Sequence, residues 1–197
     1  MSELMEDIEI IDNILNSKST GFKALVDKYQ LLVVNTCYGF VHNREDAEDI
    51  AQEVFIEVHR SIHKFRKESK LSTWLYRISA NKSLNFIRDN KKNSWFQSLD
   101  ILFSSEKNTS KVIELSDSKN NIPDSIIENK ETGDFINDAI SLLPKNQNVA
   151  FTLHKYEDLS YKEIAEVMEL SLSSVESLLF RAKKNLQEKL IRHYKNS

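Results

Sequence analysis

The sequence has little of what interrupts a helix or ties a chain covalently. Three glycines and two prolines among 197 residues favour long helices over a turn-rich β fold. The single cysteine, Cys37, excludes an intramolecular disulfide, and its apolar neighbours predict a packed core thiol rather than a redox sensor. No apolar run approaches the roughly 18 residues of a membrane span, and the N-terminus lacks the pattern of a secretory signal. We therefore expect a cytoplasmic protein.

The residue patterns of catalysis are also missing. The sequence contains no glycine-rich phosphate loop, no nucleophile elbow and no cluster with metal-ligand spacing. His59 and His63 are four residues apart, but no third ligand accompanies them, so we interpret them as surface or packing residues. We expect neither an enzyme, nor a metal or other cofactor, nor a small-molecule substrate.

Charge is present but strongly segregated. The net charge is only −3, and a hydrophobic content of 40% is enough for a real core. Between Arg44 and Glu57, six carboxylates face one arginine, whereas ten Lys/Arg face two acids between His59 and Lys92. A reversal this abrupt predicts two surfaces for two different partners.

The acidic segment is typical of an amphipathic helix. Asn43 is a good N-cap for a helix to about Lys64, after a helix spanning 21–42. Its predicted apolar face consists of Ile50, Ala51, Val54, Phe55, Val58 and Ile62. Its acidic stripe consists of Asp46, Asp49, Glu53 and Glu57. These like charges repel at i,i+4 with no base on the same stripe, so a basic protein partner and a solvated surface both stay open.

The basic segment predicts a second helix, capped by Ser72 and reaching about Asn90. A narrow polar stripe runs between two apolar faces and consists of Arg77, Asn81, Asn85, Arg88 and Lys92. Trp74 lies near its start. Basic and amide side chains beside an aromatic ring suit single-stranded nucleic acid, and a solvated helix edge is the alternative.

Residues 93–130 are rich in Ser, Asn, Asp and Lys, which predicts a flexible linker, and helices resume in 131–197. A modest helix is expected from Ile126 to Leu142, and Pro144 should open another to about Tyr156. Ser160–Glu163 reads as a capping box, and Ser173–Glu176 as a second box that opens a helix to about His193. Two short capped helices with a tight turn indicate a helix-turn-helix, although an ordinary helical hairpin has the same outline. The candidate DNA-contacting residues are Ser173, Ser174, Ser177, Arg181 and Lys184.

Several blocks occur together in one order: Asp46–Phe55, Phe65, Thr73–Ile78 and Asn81, then Leu143–Pro144, Leu159–Ala165 and Ser173–Lys184. In these residues the chain resembles the sigma-70 family, specifically the extracytoplasmic-function (ECF, group 4) sigma factors of bacterial RNA polymerase. The resemblance covers about residues 20–92 and 130–192.

The resemblance implies an all-α fold of two small helical domains. A sigma2-like bundle would occupy 1–92 and a sigma4-like helix-turn-helix domain 131–197, with the linker 93–130 threading the polymerase cleft. The implied partners are the β′ clamp helices and β flap of core polymerase, promoter DNA, and an anti-sigma factor.

Residue roles follow from the same resemblance. Core polymerase would be bound by Asp46, Asp49, Gln52 and Glu53. The −10 region would be recognised and melted by Phe65, Lys70, Ser72, Trp74, Arg77, Asn81, Asn85 and Arg88. The −35 element would be read by the Ser173–Lys184 set named above.

Three positions depart from the family pattern. Glu176 and Leu178 stand where many members have Lys or Arg, and Glu169 replaces a glycine often found in the turn. Two other interpretations stay open on sequence alone: a helix-turn-helix repressor or activator that works without core polymerase, and an anti-sigma or adaptor protein that does not bind DNA.

Overall fold

The computed structural model describes residues 2–16, 19–104, 133 and 135–196, and every regular element in these ranges is a helix. The helices are α1 (Ser2–Leu15), α2 (Ser19–Val41), α3 (Arg44–Ser61, continued by a 3₁₀ turn at Ile62–Lys64), α4 (Leu71–Ser104), α5 (135–141), α6 (Lys145–Tyr156), α7 (Tyr161–Met168) and α8 (Leu172–Asn196). The predicted all-α class is confirmed. None of these described helices is long and apolar enough to cross a membrane.

Helices α1 to α4 pack around the N-terminal core. The Asn43 side chain accepts a hydrogen bond from the Asp46 amide at 3.0 Å and begins α3 as predicted. The predicted apolar face of α3 is buried, apart from a half-buried Phe55. Cys37 is fully buried, and burial raises the pKa of its thiol to about 11, so it is a core residue.

Helix α4 departs from prediction at both ends. It begins at Leu71, so Ser72 lies inside its first turn instead of capping it. It continues to Ser104, and residues 93–104 of the predicted linker are therefore helical. The stretch after Asn90 contains neither glycine nor proline, and nothing in it stops a helix already under way. The linker's remaining residues, 105–130, lie outside the described part of the chain, and the boundary at residue 92 stays a prediction.

The C-terminal half confirms one capping box and corrects the other. Ser160 Oγ accepts from the Glu163 amide at 3.3 Å, and Glu163 Oε2 accepts from the Ser160 amide at 2.9 Å. In α8 the cap is Ser171, whose Oγ accepts from the Ser174 amide at 3.2 Å. The predicted Ser173–Glu176 box is wrong because the helix starts earlier, at Leu172.

Two further boundaries differ slightly from prediction. Pro144 is the N-cap of α6, one residue before the first helical position. Of the helix expected at Ile126–Leu142, the described part is residue 133 and α5, and residues 126–132 and 134 lie outside the description.

The two halves of the chain share a core along α4. Its Leu71 and Leu75 are buried with the N-terminal helices, whereas Ala80 on the other side is buried with the C-terminal ones. Phe40 of α2 joins Ala80 in that second cluster, whose remaining buried members are Val149, Ala150, Leu153, Ile164, Val167, Val175 and Leu179. The polar stripe of α4 therefore lies at the junction of the two halves.

Candidate functional site

The acidic stripe lies on the outer side of α3, because the apolar face of this helix is turned into the core. Asp49, Gln52 and Glu53 are exposed, and Asp46 is half-buried beside its N-cap. No described residue forms an ion pair with Asp49. Asp49 lies one turn before the adjacent Gln52 and Glu53, and all three side chains present carboxylate or amide oxygens to solvent.

The sequence patterns did not predict one contact of the acidic stripe. Lys82 Nζ of α4 lies 3.5 Å from Glu53 and 3.9 Å from Glu57, so a base does offset part of the stripe. The sequence interpretation considered only the helix itself, and nothing local signals a contact 29 residues away. Glu53 nevertheless keeps 65% of its side chain exposed, and an exposed pair of this kind is weak.

A groove of about 600 Å³ runs beside the stripe, between α2 and α3. Leu31 at its edge is 67% exposed, and Gln52, which is next to Glu53 of the stripe, also lines the groove. The full lining is Val26, Gln30, Leu31, Val34, Arg44, Glu48, Ala51, Gln52 and Phe55. An apolar groove with an acidic border suits a protein partner that brings apolar and basic side chains together.

Phe65 and Trp74 flank the connection between α3 and α4. Their ring centroids are 5.2 Å apart at an interplanar angle of 41°, and both rings are half-buried against the N-terminal core. The packing of these two rings supports the connection between the helices, and Lys70 at its end is exposed. Ser72 is half-buried in the first turn of α4.

Three residues of the α4 stripe are exposed, and a fourth, Arg77, contacts the C-terminal half of the chain. Asn81, Asn85 and Arg88 are exposed, and Arg88 Nε donates to Asp89 at 3.0 Å, which raises the pKa of the guanidinium. Arg77 is turned to α7 instead. Its Nε donates to the Val167 carbonyl at 2.9 Å, its Nη2 to the Glu166 carbonyl at 3.0 Å, and its Nη1 to the Glu169 carboxylate. Lys92, the last predicted member of the stripe, has no described side chain.

Asn81 lines a cleft of about 230 Å³ between α4 and the α6–α7 segment. Arg77 and Glu169 form one end of this cleft, and Lys145 and Asn146 at the start of α6 contribute to its other side. In this arrangement the predicted −10 stripe faces the C-terminal half of its own chain along part of its length.

The helix-turn-helix consists of α7, a turn and α8. Glu169 ends α7 in the left-handed region, with φ 55°, and the Leu170 amide donates back to the Ala165 carbonyl at 3.0 Å. On α8 the exposed residues of the predicted set are Ser173, Ser177, Arg181 and Lys184, and Ser174 is half-buried beside the Ser171 cap.

Leu178 and Glu176, the two departures from the family pattern on α8, lie in different environments. Leu178 is half-buried and packs on the C-terminal core, which explains an apolar residue there. Glu176 is exposed and has no capping role, since Ser171 provides the cap. Sequence reasoning also passed over Phe180, which is 70% exposed on α8 next to Arg181, although helical spacing places it on the same side as Ser177 and Lys184.

Comparisons with known proteins assign both halves of the chain to one family. The sequence matches the family description "Sigma-70 region 2" over residues 25–93 and "Sigma-70, region 4" over residues 136–186. It is 32% identical over 190 residues to the ECF RNA polymerase sigma-E factor of Haemophilus influenzae, covering 96% of this chain and 98% of that protein. It is 30% identical over 188 residues to the RNA polymerase sigma-H factor of Pseudomonas aeruginosa, covering 94% of each.

Solved structures share the fold. CnrH in complex with the cytosolic domain of CnrY has a TM-score of 0.61 at 18% identity, over 95% of this chain and 98% of that one. The sigma factor RpoE in complex with the anti-sigma factor NepR from Bartonella quintana has a TM-score of 0.53 at 18% identity, over 86% and 96%. These structures show the fold, and the sequence matches decide for a sigma factor over a helix-turn-helix regulator that works without core polymerase and over an anti-sigma or adaptor protein. The chain belongs to the sigma-70 family as an ECF sigma factor, a promoter-specificity subunit of bacterial RNA polymerase.

Proposed function

We propose that three surfaces divide the work of this sigma factor. The acidic stripe of α3 binds core polymerase, the stripe of α4 with Phe65 and Trp74 captures the −10 strand, and the exposed side of α8 reads the −35 element. Residues 1–92 and 131–197 act as two domains joined by 93–130. The chain works in the cytoplasm, has no catalytic activity of its own, and uses binding energy to separate promoter strands.

The observation that carries the proposal is the exposed set Asp49, Gln52 and Glu53 beside the apolar groove of α2 and α3. Carboxylates without a full set of cationic partners attract a basic surface, and the groove adds apolar area to the contact. The family assignment suggests the β′ clamp helices of core polymerase as the partner, since these helices are basic. The α4 stripe, next in the chain, offers cationic and amide donors for phosphates and bases.

Two more partners complete the proposal. The β flap of core polymerase would hold the C-terminal domain near the −35 element. An anti-sigma factor would hold the chain inactive, since the solved relatives CnrH and RpoE are both seen in complexes, RpoE with a protein named as an anti-sigma factor.

The double variant Asp49→Lys/Glu53→Lys tests the acidic stripe. We expect its affinity for core polymerase to fall at least tenfold, because two attractive charges become repulsive at a protein interface. Binding is measured by fluorescence anisotropy of labelled sigma, and circular dichroism checks that helicity is retained. Glu9→Lys, an exposed acid on α1, is the matched control and should bind as the unmodified chain does. Undiminished binding by a folded double variant would remove the stripe from the interface.

A further inference from the structure

Arg77 holds the C-terminal end of α7. The last carbonyls of a helix have no partner within the helix, and this end carries partial negative charge. Arg77 donates to two of these carbonyls, Val167 and Glu166, at 2.9 and 3.0 Å, and its third nitrogen donates to the Glu169 carboxylate. A planar guanidinium that meets several oxygens in this way uses the same donors with which it would bind a phosphate.

Glu169 stands where the backbone favours glycine. Its φ of 55° lies in the left-handed region, and the Leu170 amide closes the helix onto the Ala165 carbonyl in the pattern that usually has glycine at this position. Glycine would adopt this conformation with less strain, but it has no side chain to reach Arg77. The contact with Arg77 thus supplies a physical reason for glutamate in the turn.

The Arg77 contact belongs to a packed interface between the two halves. Phe40 and Ala80 are each at most 4% exposed among C-terminal apolar residues. Gly39 lets α6 approach α2 so closely that an added Cβ would lie 3.2 Å from Thr152 and from Tyr156. Asn81, next on the stripe after Arg77, opens into the cleft that this interface leaves. The arrangement therefore covers part of the proposed −10 surface.

We propose that Arg77 is exchanged between two partners: Glu169 and the α7 carbonyls hold it in the free chain, and the −10 strand binds it only after they release it. This inference rests on the proposed role of α4 in −10 binding. One guanidinium cannot use the same donors for a carboxylate and for a phosphate. The turn of the −35-reading domain therefore keeps the −10 surface closed until the two halves separate.

Charge reversal and charge exchange test the closed contact without reference to DNA. Glu169→Arg places two guanidinium groups together, and we expect a larger radius of gyration by small-angle X-ray scattering of the full chain. The exchange variant Arg77→Glu/Glu169→Arg restores opposite charges but not the donation to the Val167 and Glu166 carbonyls, so it should return the radius part of the way to the unmodified value. An unchanged radius for Glu169→Arg would overturn the closed contact, and an exchange variant more compact than Glu169→Arg would support it.

DNA binding tests the exchange itself. The free full-length protein is titrated against a fluorescein-labelled single-stranded DNA oligonucleotide of mixed sequence. We expect Glu169→Gln to bind about two- to fivefold more tightly, the range that corresponds to one exposed ion pair. Glu166→Gln is the matched control. It removes a carboxylate from the same helix, leaves the backbone acceptors of Arg77 in place, and should bind as the unmodified chain does.

The two measurements separate the two hypotheses. If Glu169→Arg opens the chain but Glu169→Gln binds DNA no better than Glu166→Gln, the closed contact stands and the exchange fails, whereas the −10 role of Arg77 is decided by the exchange variant. If the exchange variant is closed and binds the oligonucleotide as tightly as the unmodified chain, Arg77 is not the residue that the strand takes. A gain for Glu169→Gln alone, with loss of binding in the exchange variant, supports the proposal.

Discussion

Glu157 is a half-buried acid between the two halves of the chain. It follows α6 directly and meets the side chains of Thr36 on α2 and Tyr76 on α4. Burial raises the pKa of its carboxyl to about 7, the two hydroxyls oppose the rise, and the neighbouring Asp158 adds to it. The carboxyl also raises the pKa of Tyr76, a phenol raised chiefly by its own burial. A single side chain thus couples the packing of three helices to pH.

The sign of this coupling follows from the raised pKa. Below the ordinary value of 4.5 the carboxyl is protonated in both folded and unfolded chains, and its contribution to stability is fully present. The contribution is lost as the pH rises towards about 7, because the unfolded chain ionises more readily. Burial lowers the pKa of nearby His42, whose ring packs on Tyr156, and this group acts in the opposite direction below its ordinary value of 6.5.

Glu157→Gln isolates this residue. The amide keeps the shape of the side chain and its hydrogen-bonding capacity but cannot ionise. We expect the variant to exceed the unmodified chain in free energy of unfolding at pH 8 and to converge with it at pH 4.5. Urea denaturation at both pH values measures the difference, and His42 contributes equally to both chains. A difference that does not change with pH would mean that Glu157 ionises normally in the interface.

At the scale of elements, the start of α8 depends on which serine caps it. Ser171 Oγ accepts the Ser174 amide at 3.2 Å and lies 3.1 Å from the Ser173 hydroxyl and 2.8 Å from that of Ser174. A side-chain cap satisfies one of the four amides that a helix start leaves without partners. The serines of this segment are therefore unequal, although their sequence context is similar.

Substitution of the two serines distinguishes the observed cap from the one predicted by sequence. Ser171→Ala should lower the free energy of unfolding by about 1 kcal/mol, because the Ser174 amide loses its acceptor. Ser173→Ala should change it by only a few tenths, as expected of an exposed residue within the first turn. Urea denaturation of the full chain provides both values. Equal losses, or a larger loss for Ser173→Ala, would support the helix start at Ser174 that the capping-box pattern implied.

At the scale of the whole molecule, α4 is the element that both halves need. Leu71 and Leu75 complete the N-terminal core, and Ala80 is buried in the core of the helix-turn-helix half. The close contact of α2 with α6 at Gly39 adds a second connection. Burial of apolar surface on both sides makes the closed arrangement a packed state, with the Arg77 contact at its edge.

Gly39→Leu tests that packing at a position outside every proposed binding surface. The new side chain has no room beside Thr152 and Tyr156, so we expect the halves to separate and the radius of gyration in X-ray scattering to rise. Helicity by circular dichroism should not fall, because leucine is a better helix former than glycine. Gly133→Leu is the control, since a Cβ there meets nothing within 4 Å. An unchanged radius would show that α2 and α6 are not held together in solution.

Local patterns determined much of this protein. The Asn43 cap, the buried face of α3 and the Ser160–Glu163 box were predicted because each depends on residues within one or two helical turns. The same holds for the exposed stripes of α3 and α8, whose spacing follows from helix geometry alone. The second apolar face of α4 was visible too, but the sequence did not say what it packs against.

The tertiary structure decided what depends on distant residues. Ser171 rather than Ser173 caps α8 because the turn after α7 places the helix start at Leu172. The continuation of α4 past Asn90 is instead a local effect, since nothing in the following residues ends the helix. Lys82 meets the acidic stripe from 29 residues away, and Arg77 meets Glu169 from 92 residues away. Helical periodicity extends over a few turns, whereas these contacts arise only when whole helices pack. For that reason the sequence alone could predict candidate binding surfaces, and only the fold could show that Arg77 of one of them contacts the C-terminal half of the chain.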